Sequence, residues 1–326
     1  AGGMAISHHS SGLPTKVWVF MGDAESEEGM TYEARNVLSS TGTDNIIVTL
    51  DYNHFGIDGP IEEVINSDYL NHWWGLGWNV IEVDGHNFTE LISAYQLAGA
   101  GLGNHKPTVV IAHTLKGKGY GDKENTAAAH GSPAKHEEYV ALVKKLGFDI
   151  PGIKGAVEKD IEEILTALTT EEEKYVTSKL EQGTKKIAAD NKLVEMMTNA
   201  LAKRPLINPL HIKRPADLPA ELVFAPGTKV ATRQAVSVWL NWLMQQTAFL
   251  WTGAGDLGQS VSTATAEKVY GIINEKNPYG RGIRFGIAEQ NMAMMSAGLS
   301  SDVLPGGYHP IAVFGTFAVF TTMIGD

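Results

Sequence analysis

Cysteine is absent from this chain of 326 residues. Its absence excludes disulfides, thiolate zinc sites and cysteine nucleophiles, and it fits a reducing compartment, so the expected location is cytoplasmic. Long hydrophobic runs are missing too. None approaches the roughly eighteen residues of a membrane span, and no secretory signal opens the chain. Positive charge is in short supply, with 26 Lys and Arg against 37 Asp and Glu and a formal net charge of −11. That balance sets aside nucleic acid and anionic membranes as partners. No Gly-x-Gly-x-x-Gly follows the first apolar run, which leaves a nicotinamide-binding unit without its phosphate turn. The chain begins at Ala1 rather than Met and stops just after an apolar, Phe-rich stretch. Both ends read as cuts through a larger globular unit.

What is present is apolar and glycine-rich. Apolar residues make up 43% of the chain, enough to bury a large core, and the length suggests two domains. Strand-like runs at 17–21, 46–50, 79–83 and 108–113 alternate with helix-like stretches at 32–40 and 89–102, the second with Asn87 or Thr89 as N-cap. Such alternation predicts βαβ units and a mostly parallel sheet flanked by helices, an α/β fold. Between 158 and 202 the texture turns to charged amphipathic helix, with segments at 159–168, 170–182 and 188–201 whose charges read as a solvated face. Pro205, Pro209, Pro215, Pro219 and Pro226 then punctuate an irregular linker. A second unit follows, with a helix expected at 232–245, a strand at 248–252, a Gly-rich turn from Gly253 to Leu257, a helix at 288–299 and apolar segments at 311–320.

The chemistry begins where the first strands end. One apolar run closes in Gly22-Asp23-Ala24, and the next runs through Asp51-Tyr52 into Asn53. In an open parallel sheet, ligands bind beyond the carboxyl ends of the strands. One carboxylate and one amide oxygen would therefore meet in a single crevice, a hard donor pair suited to Mg²⁺ or Ca²⁺ bridged to phosphate. The plain alternative is a turn that caps the following helix.

Further motifs follow in order. Ile57-Asp58-Gly59, Val83-Asp84-Gly85-His86, Thr114-Leu115-Lys116-Gly117-Lys118-Gly119 and His130-Gly131, taken with Gly22-Asp23 and Asn53, resemble the diphosphate-binding domain of transketolases. Gly286-Ile287-Ala288-Glu289-Gln290-Asn291 is similar to the catalytic-glutamate segment of their pyrimidine-binding domain. The resemblance spans nearly the whole chain apart from a helical insert at about 150–215. It implies two thiamine-diphosphate-binding-fold domains: a diphosphate-binding domain at 1–195, a linker at 196–219 and a pyrimidine-binding domain at 220–326.

The resemblance also implies thiamine diphosphate with Mg²⁺ (or Ca²⁺). Asp23, Asn53 and the carbonyl of Phe55 would hold the metal, Gly22 and Ala24 would approach the diphosphate, and Ile57 would lie against the thiazolium. Glu28 would help to link the two active sites of a homodimer. The family has Gly where this chain has Ala24, a change that matters only if that position needs φ > 0. Glu289 would hydrogen-bond the aminopyrimidine ring, and Phe317 and Phe320 would stack on it. Asp256 and Leu257 would prop the cofactor, and His130 would sit over the reactive carbon as a catalytic and substrate-binding group. Arg233 and Ser260 match positions that bind a sugar phosphate. Alone, these residues have plainer readings as core aromatics, a helix-end Glu, a loop His, a surface Arg and a cap Ser. His86 reads as a turn residue supporting the site indirectly, and Lys116 and Lys118 as a mobile loop beside the cleft.

The activity implied is transfer of a two-carbon ketol unit from a ketose phosphate to an aldose phosphate. Two alternatives stand beside it: the E1 component of a 2-oxoacid dehydrogenase, and a non-catalytic homologue that binds the cofactor.

Overall fold

A computed structural model describes residues 1–131, 133–147, 170–188, 191, 195, 205–212 and 219–324. The order of elements is α1 (Gly2–Ser10), β1 (Val17–Gly22), α2 (Gly29–Ser40), β2 (Ile46–Tyr52), α3 (Ile61–Val64), α4 (Tyr69–Gly75), β3 (Asn79–Asp84), α5 (Phe88–Ala100), β4 (Thr108–His113), α6 (His136–Lys145) and α7 (Thr170–Ala188). There follow α8 (Thr232–Gln246), β5 (Leu250–Ala254), α9 (Thr265–Tyr270), β6 (Gly282–Arg284), α10 (Glu289–Ser300) and β7 (Ile311–Gly315). The helices expected at 159–168 and most of 188–201 lie outside the described residues.

Two parallel sheets organise these elements. The first has strand order β1-β2-β4-β3 and the second β6-β5-β7, with every strand pair parallel. Parallel sheets need helical crossovers, which cover the faces of their inner strands. The sequence of each strand reports its place. Central β2 and β4 begin with five buried residues each, Ile46–Leu50 and Thr108–Ala112, whereas edge strand β1 alternates between half-buried and exposed. Helix α5 starts at Asn87, whose side chain accepts the N–H groups of Thr89 and Glu90 and satisfies two orphan donors of the first turn.

One buried cluster runs through both sheets. It joins Ile6, Leu50, Trp73, Trp78 and Ile111 to Trp251, Phe285, Met292 and Leu299. Helices α1 and α10 approach closely because both carry glycine at the contact: a Cβ on Gly3 would lie 2.1 Å from the Met295 carbonyl. Arg281 is fully buried and donates to the carbonyls of Leu250, Met244 and Thr247, tying the end of α8 to the start of β5. No described helix is long and apolar enough to cross a membrane.

The strand expected at 248–252 lies two residues further on. The Thr247 hydroxyl donates to the Ile207 carbonyl and the Ala248 N–H to Pro205, which takes the start of the apolar run out of the ladder. At its other end, Gly253 and Ala254 belong to the strand rather than to a turn. A Cβ at Gly253 would lie 2.4 Å from the Ile283 carbonyl oxygen, so glycine here serves close strand approach.

Candidate cofactor site

The ends of neighbouring strands β1 and β2 are in register, Gly22 beside Asp51, and the Asp23 N–H continues the pairing to the Asp51 carbonyl. Asp23 and Asn53 thus reach the same crevice. Asp23 is 1% exposed and its carboxylate accepts three backbone N–H groups: Oδ1 from Ala24 at 2.8 Å, Oδ2 from Asn53 at 2.9 Å and His54 at 2.7 Å. Burial pushes its carboxyl above the ordinary range, with the Asp51 charge adding, while the three N–H groups pull the other way. The Asn53 amide oxygen accepts the Phe55 N–H at 3.1 Å. His54, between them, is held at φ 66°, an uncommon conformation for a residue with a Cβ.

A cavity of about 420 Å³ opens on these atoms, lined among others by Gly22, Asp23, Ala24, Asn53, Phe55 and Ile57. Lys116 and His130 close its far side. The Lys116 ammonium donates to the Phe55 carbonyl at 2.6 Å and lies 3.0 Å from His130 Nδ1. The reading of Lys116 as a bystander beside the cleft is therefore corrected: its charge is inside. Spacing along the chain could not show this, because the contact joins three separate loops. Lys118 is exposed and lines neither this cavity nor that holding Asp256.

A divalent cation fits these donors. Asp23 Oδ1 and Asn53 Oδ1 each carry one hydrogen bond and keep acceptor capacity, and the Phe55 carbonyl already faces a cationic group. Among the described residues no cluster of three or more His, Cys, Asp or Glu could hold a metal, so a cation here would rest on one carboxylate, neutral oxygens and its ligand. Ala24 also fits. It opens a 3-10 turn at Ala24–Glu27 without positive φ, and a Cβ built on Gly56 would lie 3.9 Å from the Ala24 methyl. Glu28 follows this turn and is exposed, as is Ile57.

The second sheet builds another group of residues. Glu289, 5% exposed, opens α10, and its Oε1 accepts the Thr316 hydroxyl at 3.3 Å. Gly255, just past β5, makes room for it: a Cβ there would lie 3.1 Å from Glu289 Oε1. Phe317 and Phe320 follow Thr316, their rings stacked with centroids 6.2 Å apart. Sequence reasoning misses Thr316, whose one signal is its position directly after the run that forms β7. Asp256, at φ 56°, lines a separate cavity of about 280 Å³ with Leu257, Ser260, Glu267 and Arg284. Arg284 is paired with Glu267 at 2.9 Å. Arg233 is exposed in the first turn of α8 and does not line this cavity. Ser237, one turn later, meets the Thr265 hydroxyl at 2.7 Å, which sets this part of α8 against α9.

The two groups stay apart within one chain. The cavity holding Asp23 is lined by no residue beyond His130, and that holding Asp256 by none before Ala254.

Comparison with known proteins supplies the family. The family described as transketolase, thiamine diphosphate binding domain, matches residues 7–203, more than half of the chain. The chain belongs to the transketolase family. It is 35% identical over 145 residues to the 6-deoxy-6-sulfo-D-fructose transketolase subunit of Clostridium sp. (strain MSTE9), covering 44% of this chain and 52% of that protein. Human transketolase is 28% identical over 312 residues, covering 95% of this chain and 40% of its own. Among solved structures, transketolase from Leishmania mexicana matches with a TM-score of 0.77 at 21% identity, over 99% of this chain and 47% of that one. That likeness carries the fold: α/β, with parallel sheets flanked by helices. The chain spans about half the length of the transketolases it matches.

Proposed function

We propose that this transketolase-family chain binds thiamine diphosphate through a divalent cation and transfers a two-carbon ketol unit between sugar phosphates. The observation that carries the reading is the meeting of Asp23, Asn53, the Phe55 carbonyl, Lys116 and His130 in one cleft at the strand ends. Mg²⁺ (or Ca²⁺) would sit on the oxygens of Asp23, Asn53 and Phe55, and Lys116 would face the diphosphate. Thiamine diphosphate, when bound, supplies a carbon nucleophile that also accommodates the resulting negative charge. Glu289 would hold a proton at its carboxyl against the aminopyrimidine ring, with the Thr316 hydroxyl fixing the other side of that carboxyl and Phe317 and Phe320 stacking nearby. His130 would donate a hydrogen bond where an oxyanion develops.

Arg233 and Ser260 would take the anionic end of the sugar. Two relatives are named for anionic or phosphorylated sugars. One is the 6-deoxy-6-sulfo-D-fructose transketolase of Clostridium, the other an apulose-4-phosphate transketolase of Phocaeicola vulgatus, 32% identical over 145 residues. We also propose a homodimer in which the diphosphate-binding part, 1–195, faces the pyrimidine-binding part, 220–326, of a second copy. Apolar side chains flank both groups and lie open: Ile57 is 71% exposed, Ile287 81% and Val319 70%. A second copy would cover them.

Calorimetry with thiamine diphosphate and Mg²⁺ tests the binding. The wild-type protein is expected to bind and Asp23→Ala to lose Mg²⁺-dependent affinity; equal binding by both removes the cleft from the reading. Ketol transfer and pyruvate decarboxylation, assayed side by side, test the reaction. Glu289→Ala is expected to abolish transfer with only a moderate loss of cofactor affinity, and decarboxylation without transfer would point to a 2-oxoacid substrate instead.

A further inference from the structure

We infer that His86 is the positioning residue that holds Lys116 in the diphosphate cleft, acting through a hydrogen bond to the Leu115 amide. The inference rests on the proposed cofactor site. His86 lies in the turn after β3, where its own N–H donates to Asp84 Oδ1 at 2.9 Å. Its ring Nε2 accepts the Leu115 N–H at 2.8 Å. An accepting ring nitrogen carries no proton, so the imidazole holds its proton on Nδ1. The two loops are pressed together by an adjoining glycine. The Gly85 N–H donates to the His113 carbonyl at 2.8 Å, and a Cβ on Gly85 would lie 2.4 Å from Thr114 Cγ2.

The other side of the loop is tied to the sheet, where the Thr114 N–H donates to the Tyr52 carbonyl at 3.1 Å. Leu115 comes next and finds its acceptor in a side chain. Beyond Lys116 the chain passes Gly117 at φ 63° and Gly119 at φ 83°, backbone that many conformations suit. A lysine at the root of such a loop would otherwise bring its full conformational freedom to ligand binding. With Leu115 held by His86 and the Lys116 carbonyl accepting the Asn125 N–H at 2.7 Å, the ammonium is delivered to the Phe55 carbonyl before any ligand arrives.

The test uses Mg²⁺ with inorganic diphosphate in a calorimeter, and hydrogen exchange at the Leu115 amide in the ligand-free protein. His86→Leu is expected to weaken diphosphate binding about fivefold to tenfold, the scale of one lost hydrogen bond, and to speed exchange at Leu115. His86→Gln, whose amide oxygen can accept the same N–H, is expected to restore both. In a Lys116→Met background, His86→Leu is expected to cost no further affinity, because the two act as one unit. Wild-type affinity and protection in His86→Leu, no rescue by Gln, or an equal loss in the Lys116→Met background each overturns the inference. A wild-type protein that binds no diphosphate counts against the cofactor reading, while the exchange comparison still decides the clamp because it needs no ligand.

Discussion

Gly255 shows how much can depend on a missing methyl group. A Cβ there would press on Glu289 Oε1 at 3.1 Å and Cδ at 3.2 Å, closer than side chains ordinarily pack. Gly255→Ala is therefore expected to shift the Glu289 carboxyl by a few tenths of an ångström and lower turnover by roughly tenfold or more, with cofactor affinity less affected. Steady-state kinetics beside calorimetry reads the difference, and unchanged turnover would show that Glu289 tolerates displacement. Ala24 gives the opposite expectation. Its backbone needs no positive φ, so Ala24→Gly should leave Mg²⁺-diphosphate affinity unchanged. A clear gain in affinity would show that the methyl obstructs the ligand.

Helix ends and strand starts are joined by buried groups whose loss should be felt across several elements. Arg281 serves three carbonyls at 2.8–3.0 Å and stacks 4.3 Å from the Tyr270 ring. Arg281→Met would leave those carbonyls unmet and is expected to cost about 3 kcal/mol or more in denaturant-melt stability. Asp44 joins α1 to the loop before β4, with His9 at 3.4 Å and His105 at 3.3 Å. The hydrogen bond from His9 holds its carboxyl below the usual carboxylate range, against the opposing effect of burial. A depressed folded value means that the unfolded chain takes up the proton first on acidification. The stabilisation is thus complete above about pH 4 and disappears as pH falls through the lower folded value. Asp44→Asn is expected to cost about 0.5–1 kcal/mol near pH 6, since the pair is partly exposed, and almost nothing near pH 2. A cost that is constant with pH would remove the ion pair from the account. These joins were not legible in the sequence. The strands were, because β2 and β4 are apolar on both faces and each ends at a polar turn.

For the whole molecule, the separation of the two residue groups is the governing fact. Asp23 and Lys116 occupy one cavity, Asp256 and Ser260 another, and exposed Ile57, Ile287 and Val319 flank them. Sedimentation of the protein with thiamine diphosphate and Mg²⁺ is expected to show a dimer, and turnover by a strictly monomeric species would overturn the shared-site arrangement. The buried cluster running from Ile6 through Trp73 to Trp251 and Met292 means that the two sheets of one chain support each other. Destabilising either should loosen both.

The linear pattern of residues was enough for the alternation of strands and helices, the oxygen donors at the first two strand ends and the ordered motifs of the transketolase family. Each is carried by neighbours in the chain: apolar periodicity, turn residues and short spacings. Three things needed the folded chain. Lys116 enters the cleft only because the loops bearing His86, Phe55 and His130 converge on it. Thr316 reaches Glu289 only because β5 and β7 end side by side. Ala24 is acceptable only because the turn it opens keeps φ negative. Contacts between distant segments depend on sheet register and loop path, which spacing along the chain does not encode. The Asp23–Asn53 pair could be read from sequence; the ammonium facing it could not.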